Sequence, residues 1–255
     1  MAIDINCDMG ESFGSYTIGN DEKIIRAITS ANIACGFHAG DPLVMEKTVL
    51  LAVNNGVGIG AHPGFPDLMG FGRRKLETFR GEIRNYLIYQ IGALTAFAHA
   101  HGKLLQHVKP HGALYNLAAA DAVVAREVVE ALQAVGRELI LVTQPGSVLA
   151  QLAREAGLRV AREAFADRAY QENGQLASRS LPGAVIHDPK TVRERMIRMV
   201  LEGTVISIEG KTISLEADTI CVHGDTPGAA DLAVDIRNEL EKVGIEVKPM
   251  GDFVA

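Results

Sequence analysis

Within five residues the chain places two imidazoles and an ammonium: His107, Lys109 and His111. Residues two apart on an extended strand point to the same side. The three groups are therefore expected to converge on one space, where Pro110 and Gly112 end the strand. Other apolar runs also end in ionisable residues. These are Asp8 and Glu11, His38 and Asp41, His62 and Asp67, then Glu163 with Asp167 and Arg168, and finally His223 and Asp225. Singly, each has a plain explanation. Asp41 reads as a helix cap, Glu11 and Asp67 as loop fasteners, and a lone histidine as a satisfied hydrogen-bonding residue. Delivered together to one rim, however, such groups lose hydration that a purely structural design would keep. They point to a reactive pocket.

The mix of groups suggests hydrolysis. Carboxylates and imidazoles can deprotonate water and protonate a leaving group. Lys109 or Arg168 can hold a substrate carboxylate or stabilise an oxyanion. The chain has no Gly-x-Ser-x-Gly elbow, Ser12 and Ser30 lack a triad context, and Cys7 is expected in a barrel wall. A metal hydrolase is the sharper rival. Asp8, His62 and His111 are the candidate ligands, since three ligands and an open position suit a water-activating zinc. Their spacing is nonlocal and commits to no metal.

The elements that must position these groups alternate. Ile3, Ile5 and Cys7 alternate with Asp4 and Asn6, a first strand tipped by Asp8. Further strands are expected at 31–36, 57–61, 104–111, 139–142, 159–164 and 219–222. Helices are expected from Asn20 or Asp21, at 42–54, from Leu76 to about His99, at 118–135, from Gln144 to Gly157, at 189–201 and from Thr226-Pro227 to Gly244. His99 and His101 fall in a last helical turn, where a cation suits the helix dipole, and read as surface residues. Residues 204–215 carry a β-hairpin signal around Glu209-Gly210. Gly210-Lys211-Thr212 lacks the earlier glycine of a P-loop, because Val205 stands there. The tail, 245–255, can add one more strand.

Seven alternations of strand and helix build a parallel sheet. Polar groups at nearly every strand end favour a closed barrel with one mouth over an open sheet with one switch point. The expected architecture is a single (β/α) barrel domain over 1–255, without linker or repeat.

Composition narrows the class. With 255 residues, 47% hydrophobic and 22% charged, the chain is ordinary for a globular fold. A net charge of -6 without a basic run argues against nucleic acid and anionic membrane partners. No apolar stretch reaches the length of a membrane span, and the N-terminus lacks the regions of a signal peptide. Three cysteines without metal spacing, Cys7, Cys35 and Cys221, fit reduced thiols in the cytoplasm.

Several blocks together carry a family resemblance. They are Asp4-Ile5-Asn6-Cys7-Asp8-Met9-Gly10-Glu11, the run from Ser30 to Pro42 around Gly36-Phe37-His38-Ala39-Gly40-Asp41, and Gly60-Ala61-His62-Pro63-Gly64-Phe65-Pro66-Asp67. His107-Val108-Lys109-Pro110-His111-Gly112-Ala113-Leu114-Tyr115, Phe165-Ala166-Asp167-Arg168 and His223-Gly224-Asp225-Thr226-Pro227 complete the set. The chain resembles the LamB/YcsF family over nearly its whole length, the family of the A subunit of the prokaryotic 5-oxoprolinase. The resemblance implies a seven-stranded, distorted TIM-like (β/α) barrel of the glycoside hydrolase/deacetylase type. It implies ATP-dependent opening of 5-oxoproline to glutamate, with two partner subunits, B and C. No ATP motif is visible, so nucleotide-handling residues are expected on the partners or shared with them.

On that reading Asp8, His62, Lys109, His111 and Asp225 are the expected catalytic residues, with Asp8 or Asp225 directing water and His62 or His111 protonating nitrogen. Glu11, His38, His107, Asp167, Arg168 and His223 are the expected substrate-binding residues. Similarity to the deacetylases also puts Asp8, His62 and His111 near a metal position, with a divalent ion optional. Two alternatives stand beside it: a metal-dependent deacetylase or amidohydrolase acting on a sugar or small amide, and a noncatalytic carboxylate-binding subunit.

Overall fold

The computed structural model describes residues 1–178, 180–222 and 229–255. Its strands are β1 (Ala2–Met9), β2 (Ser30–Ala34), β3 (Gly58–His62), β4 (His107–Val108), β5 (Ile140–Thr143) and β6 (Val160–Phe165). An antiparallel hairpin, β7 (Thr204–Ile206) and β8 (Thr212–Ser214), precedes β9 (Thr219–Val222). Strands β1 to β6 pair in sequence, all parallel, and β9 pairs with both β6 and β1. The seven strands thus close into a barrel. The tail contributes β10 (Glu246–Val247), parallel to the start of β1.

The helices are α1 (Asp21–Ile24), α2 (Pro42–Asn55), α3 (Glu82–Ala100), α4 (Gly112–Ala120), α5 (Ala122–Val135), α6 (Val148–Glu155), α7 (Pro189–Glu202) and α8 (Ala229–Lys242). Asp41 caps α2 by accepting from the Leu43 and Val44 amides, and Asp188 caps α7 at Thr191. Each such cap is worth about 1 kcal/mol. Among the described residues no helix is long and apolar enough to cross a membrane.

The alternation in β1 divides two environments. Ile3, Ile5, Cys7 and Met9 join the hydrophobic layer packed with the helices. Asp4, Asn6 and Asp8 take the opposite side, inside the barrel, and form a hydrogen-bonded ladder. At the floor Asp4 accepts from Thr29 Oγ1 (2.7 Å), Ser30 Oγ (2.6 Å), Thr219 Oγ1 (2.5 Å) and the Met250 amide (3.2 Å). One rung up, Asn6 donates to Thr219 Oγ1 (2.7 Å) and accepts from Asn32 Nδ2 (2.7 Å). Asn32 also donates to Asp8 (2.9 Å) at the mouth. The tail closes the floor, where Met250 is buried against Ile140, Val142 and Ala161.

Several expected boundaries shift; α6, expected from Gln144, begins at Val148 after its cap Ser147. Helix α3 begins at Glu82, not near Leu76. Gly81 has φ 88, a left-handed conformation that cannot lie inside a helix, and Phe79 is exposed. Its first amides are capped from α5, where Glu127 accepts from the Gly81 and Arg84 N–H groups. The helix expected at 118–135 is two helices, because Asp121 is extended and caps α5 at Val123 and Val124. Strand β4 is only two residues long. Pro110, which lacks an N–H, follows the Lys109 amide bonded to Ala61 O and precedes the His111 amide bonded to Pro63 O. The start expected for the last helix, Thr226-Pro227, lies outside the described residues.

Candidate active site

The mouth of the barrel carries a cavity of about 430 Å³, within the range that takes a small metabolite. Asp8, His62, Lys109 and His111 line one wall, and Tyr115, Gln144 and Arg168 line another. Strand ends supply the first three groups of the acid–base wall, and the N-terminus of α4 supplies His111.

Lys109 is the buried cation of this wall. Its Nζ lies 2.9 Å from Asp8 Oδ1 and 2.7 Å from Glu163 Oε1, with Asn6 Oδ1 and Cys221 Sγ both at 3.2 Å. Burial by itself would push the ammonium down. The Asp8 and Glu163 carboxylates outweigh it and hold the pKa well above the usual lysine value. Tyr115, buried near Glu163, has its phenol pushed up by burial first and by that carboxylate second.

The two cavity histidines have assignable tautomers. His62 Nδ1 is 2.7 Å from the Lys109 carbonyl, which can only accept, so Nδ1 carries the proton. His111 Nε2 is 2.8 Å from the Phe71 carbonyl and donates in the same way. The remaining nitrogens, His62 Nε2 and His111 Nδ1, therefore face each other as lone pairs 2.9 Å apart. Two bare lone pairs at that distance repel. A shared proton or a cation between them turns the contact favourable. Asp8 Oδ2 lies 3.3 Å from His62 Nε2 and reinforces the demand for positive charge. Burial, with His62 adding to it, lowers the His111 pKa to about 3, so the ring is neutral at pH 7.

The loop after β3 sets this geometry. Asp67 accepts from the Gly70 amide and pairs with Arg74, which folds 67–74 into a closed turn. Phe71, at φ 53, is a non-glycine residue in left-handed backbone, costing about 1–3 kcal/mol. That conformation belongs to the turn that presents its carbonyl to His111. Gly72 lies against the rings, since a Cβ there would fall 2.7 Å from His111 Cδ2 and 2.8 Å from His38 Cβ.

Glu11 and His38 lie behind His111 and do not line the cavity. His38 stacks on His111 with ring centroids 3.7 Å apart and planes within 3°. Its Nε2 is 3.5 Å from Glu11 Oε1, and neither ring nitrogen meets hydrogen-bond geometry with a described residue. Burial drives its pKa well below the usual value. Glu11, His38, His62 and His111 each offer one ligand atom, all within 4.8 Å of one another. One carboxylate and three imidazoles, two with lone pairs turned inward, fit a borderline divalent cation such as zinc. The sequence candidates are Asp8, His62 and His111. The structure adds Glu11 and His38 to the two histidines and leaves Asp8 beside them, held by Lys109 and Asn32.

The other expected residues separate. His107 does not share the space of Lys109 and His111. It sits one rung deeper, fully buried, with Nε2 bonded to Asn32 Oδ1 (2.8 Å) and Nδ1 to Gln106 (3.1 Å). A Cβ on Gly60 would lie 2.0 Å from its Nε2, so β3 leaves it room only by having glycine there. Arg168 reaches the cavity. Asp167 does not line it, and its charge acts on Arg195 and Tyr170. His223 and Asp225 lie outside the described residues. The sequence reading places Glu163 at the rim and gives no site role to Asn6, Asn32 or Arg73. The two asparagines carry a visible signal, polar residues inside apolar strands, whereas Arg73 in a glycine-rich loop carries none.

Comparisons with known proteins agree with this architecture. The model of the LamB/YcsF family matches residues 3–255. A protein of Syntrophobacter fumaroxidans, named as the A subunit of 5-oxoprolinase, is 62% identical over 251 residues, 98% of this chain and 99% of its own length. One of the same name from Pyrococcus furiosus is 56% identical over 254 residues, the full length of both. The crystal structure of the lactam utilization protein from Thermus thermophilus superposes with a TM-score of 0.93 at 48% identity, over 97% of this chain and 99% of that one.

Proposed function

The chain belongs to the LamB/YcsF family, and from that premise we propose that it is the A subunit of a cytoplasmic, ATP-dependent 5-oxoprolinase. It works with two partner subunits, B and C, which carry or share the ATP site. The facing pair His62–His111, on the wall of a cavity sized for a small lactam, supports the reading most directly. The names of the near full-length relatives supply the substrate.

A five-membered lactam is a stable amide and a poor electrophile. Transfer of the γ-phosphoryl group of ATP to its carbonyl oxygen makes the carbon attackable, with ADP leaving. Water then adds to that carbon. One of its protons passes to the His62–His111 pair, oriented by Asp8, and the ring C–N bond breaks. The same proton is delivered to the departing nitrogen, which becomes the amine of the product. A second water releases phosphate from the acyl phosphate that remains, giving glutamate. Each imidazole is held in one tautomer by a backbone carbonyl, so the pair takes and returns the proton at fixed atoms. Asp225 stays a candidate for directing water, and His223 for substrate contact.

Glu11, His38, His62 and His111 would hold a divalent ion, which when bound supplies Lewis acidity and a more acidic water. That donor set favours the second reading, a metal-dependent deacetylase or amidohydrolase. The deciding experiment mixes the three purified subunits with ATP and 5-oxoproline, measures ADP and glutamate, and omits each subunit in turn. The proposal requires that omitting this chain abolishes glutamate release. ATP-independent amide cleavage by this chain alone, lost on chelation, would establish the second reading instead.

A further inference from the structure

A five-membered lactam differs from an open-chain amide in a way that a binding site can read. The ring fixes its amide cis, so N–H and C=O stand on one edge, a donor beside an acceptor. An ordinary secondary amide is trans, with the two groups on opposite sides. The side chain that matches the cis edge is a primary carboxamide, which offers an acceptor beside a donor.

Among the described residues Asn116, Gln144 and Gln175 bring carboxamides to the cavity. Asn116 and Gln175 are exposed, whereas Gln144, directly after β5, is only 5% exposed. Asn116 is committed at both ends. Its Nδ2 donates to the Gly112 carbonyl at 3.2 Å, and its Oδ1 faces Gln144. A carbonyl can only accept, so Gly112 fixes which end of Asn116 is oxygen and thereby which end of Gln144 is nitrogen. Among the described residues the Gln144 side chain makes one hydrogen bond, Nε2 to Asn116 Oδ1 at 3.5 Å, longer than the usual range of about 2.7–3.2 Å. That is a poor fastener between β5 and α4. Nor does α6 need Gln144 at its start, since Ser147 caps it at Ala150. The Oε1 atom and the second Nε2 hydrogen are left to whatever fills the cavity. A buried carboxamide with bonds still to make has something to gain from a ligand.

We propose that Gln144 reads the lactam amide, Oε1 accepting from the ring N–H while Nε2 donates to the ring carbonyl. Pairing along the edge leaves the faces of the amide plane clear, and water adds to the carbonyl carbon through a face. Asp8, His62 and His111 line another wall of the same cavity. A trans amide can use only one of the two bonds, and a lactone has no N–H to give. The role rests on the lactam reading above and adds to it the group that tells this ring from its near analogues.

The test compares 5-oxoproline with 5-oxotetrahydrofuran-2-carboxylate, the lactone with ring oxygen in place of N–H and the same carboxylate. Binding of both is measured by calorimetry on the full chain, alone and with its partner subunits, for wild type, Gln144→Met and Gln144→Ala. Methionine keeps the length of the side chain and removes its hydrogen bonds. Wild type should prefer the lactam, and either substitution should weaken 5-oxoproline about tenfold to thirtyfold, the loss of two neutral hydrogen bonds. Lactone affinity should change little, so the preference disappears. If both variants keep wild-type affinity for 5-oxoproline, the assignment of Gln144 fails and the lactam reading stands. Equal losses for both rings would make the role structural, and a wild type that binds both rings equally would show that the N–H is not read. Either result overturns the assignment. Wild type binding neither ring, alone or in the mixture, overturns the lactam reading and the role of Gln144 together.

Discussion

The two ends of the barrel interior both bury acids and treat them in opposite ways. At the floor, Asp4 is surrounded by hydroxyls and one amide, each donating to it. Burial raises its pKa to about 6, and the bonds from Ser30, Thr219, Thr29 and Met250 pull it back. The tail then seals that end. At the mouth, Asp8 shares a lysine with Glu163, and two imidazole lone pairs face each other next to it. Both acids lie on one face of one strand, four residues apart. One is closed off by internal bonds, and the other stands beside groups that a proton, a cation or a substrate would complete. Polar groups fully satisfied inside a fold make it rigid and specific. Those left incomplete are where a ligand has something to gain.

Replacing His62 should break the mouth most severely. His62→Ala is expected to slow glutamate release by the complete mixture about 10²–10⁴-fold, the usual range for a general acid–base group. Thr219→Val, at the floor, should act mainly on stability. A near wild-type rate for His62→Ala would remove the mouth pair from the chemistry. Next in size is Lys109→Met, which leaves Asp8 and Glu163 buried together without their cation. A loss of about 3–5 kcal/mol in urea unfolding is expected. An unchanged midpoint would mean that the two carboxylates do not both carry charge in the fold.

The floor is tested by pH. The folded pKa of Asp4, about 6, lies above its unfolded value. Its contribution is therefore fullest below about pH 4 and is lost as pH rises through 6. A carboxyl pKa raised this far corresponds to about 3 kcal/mol. Relative to wild type, Asp4→Asn should gain stability between about pH 4 and pH 7, up to that amount. Parallel stability curves for the two proteins across that window would show that the floor acid does not titrate there. The smallest effect belongs to a site remote from both ends. Asp121→Ala removes the cap of α5 and should cost about 1 kcal/mol in thermal or urea unfolding, which sets the scale for a purely local change.

Much of this could be read along the chain. The alternation of Ile3, Ile5 and Cys7 with Asp4, Asn6 and Asp8 already contains both faces of a barrel strand, because side-chain direction has period two. The cap Asp41 and the Glu209-Gly210 hairpin turn were legible for the same reason, since they depend on neighbours within a few residues. The long apolar period misled at α3. Leu76 and Phe79 fit its helical spacing yet lie outside it, because Gly81 needs a left-handed φ and Glu127 of another helix supplies the cap. The period of two misled at β4. His107 has the spacing of a pocket residue and is a rung of the internal ladder, because Asn32 and Gln106 on its flanks take both its nitrogens.

Local geometry was enough to fix which groups stand at strand ends and which side of each strand they share. Only the closed barrel decides which lone pair each imidazole turns inward. That choice belongs to the carbonyls of Lys109 and Phe71, forty or more residues away from His62 and His111 along the chain. Closure also commits the Lys109 ammonium, because only then do β1 and β6 bring Asp8 and Glu163 to the same cation.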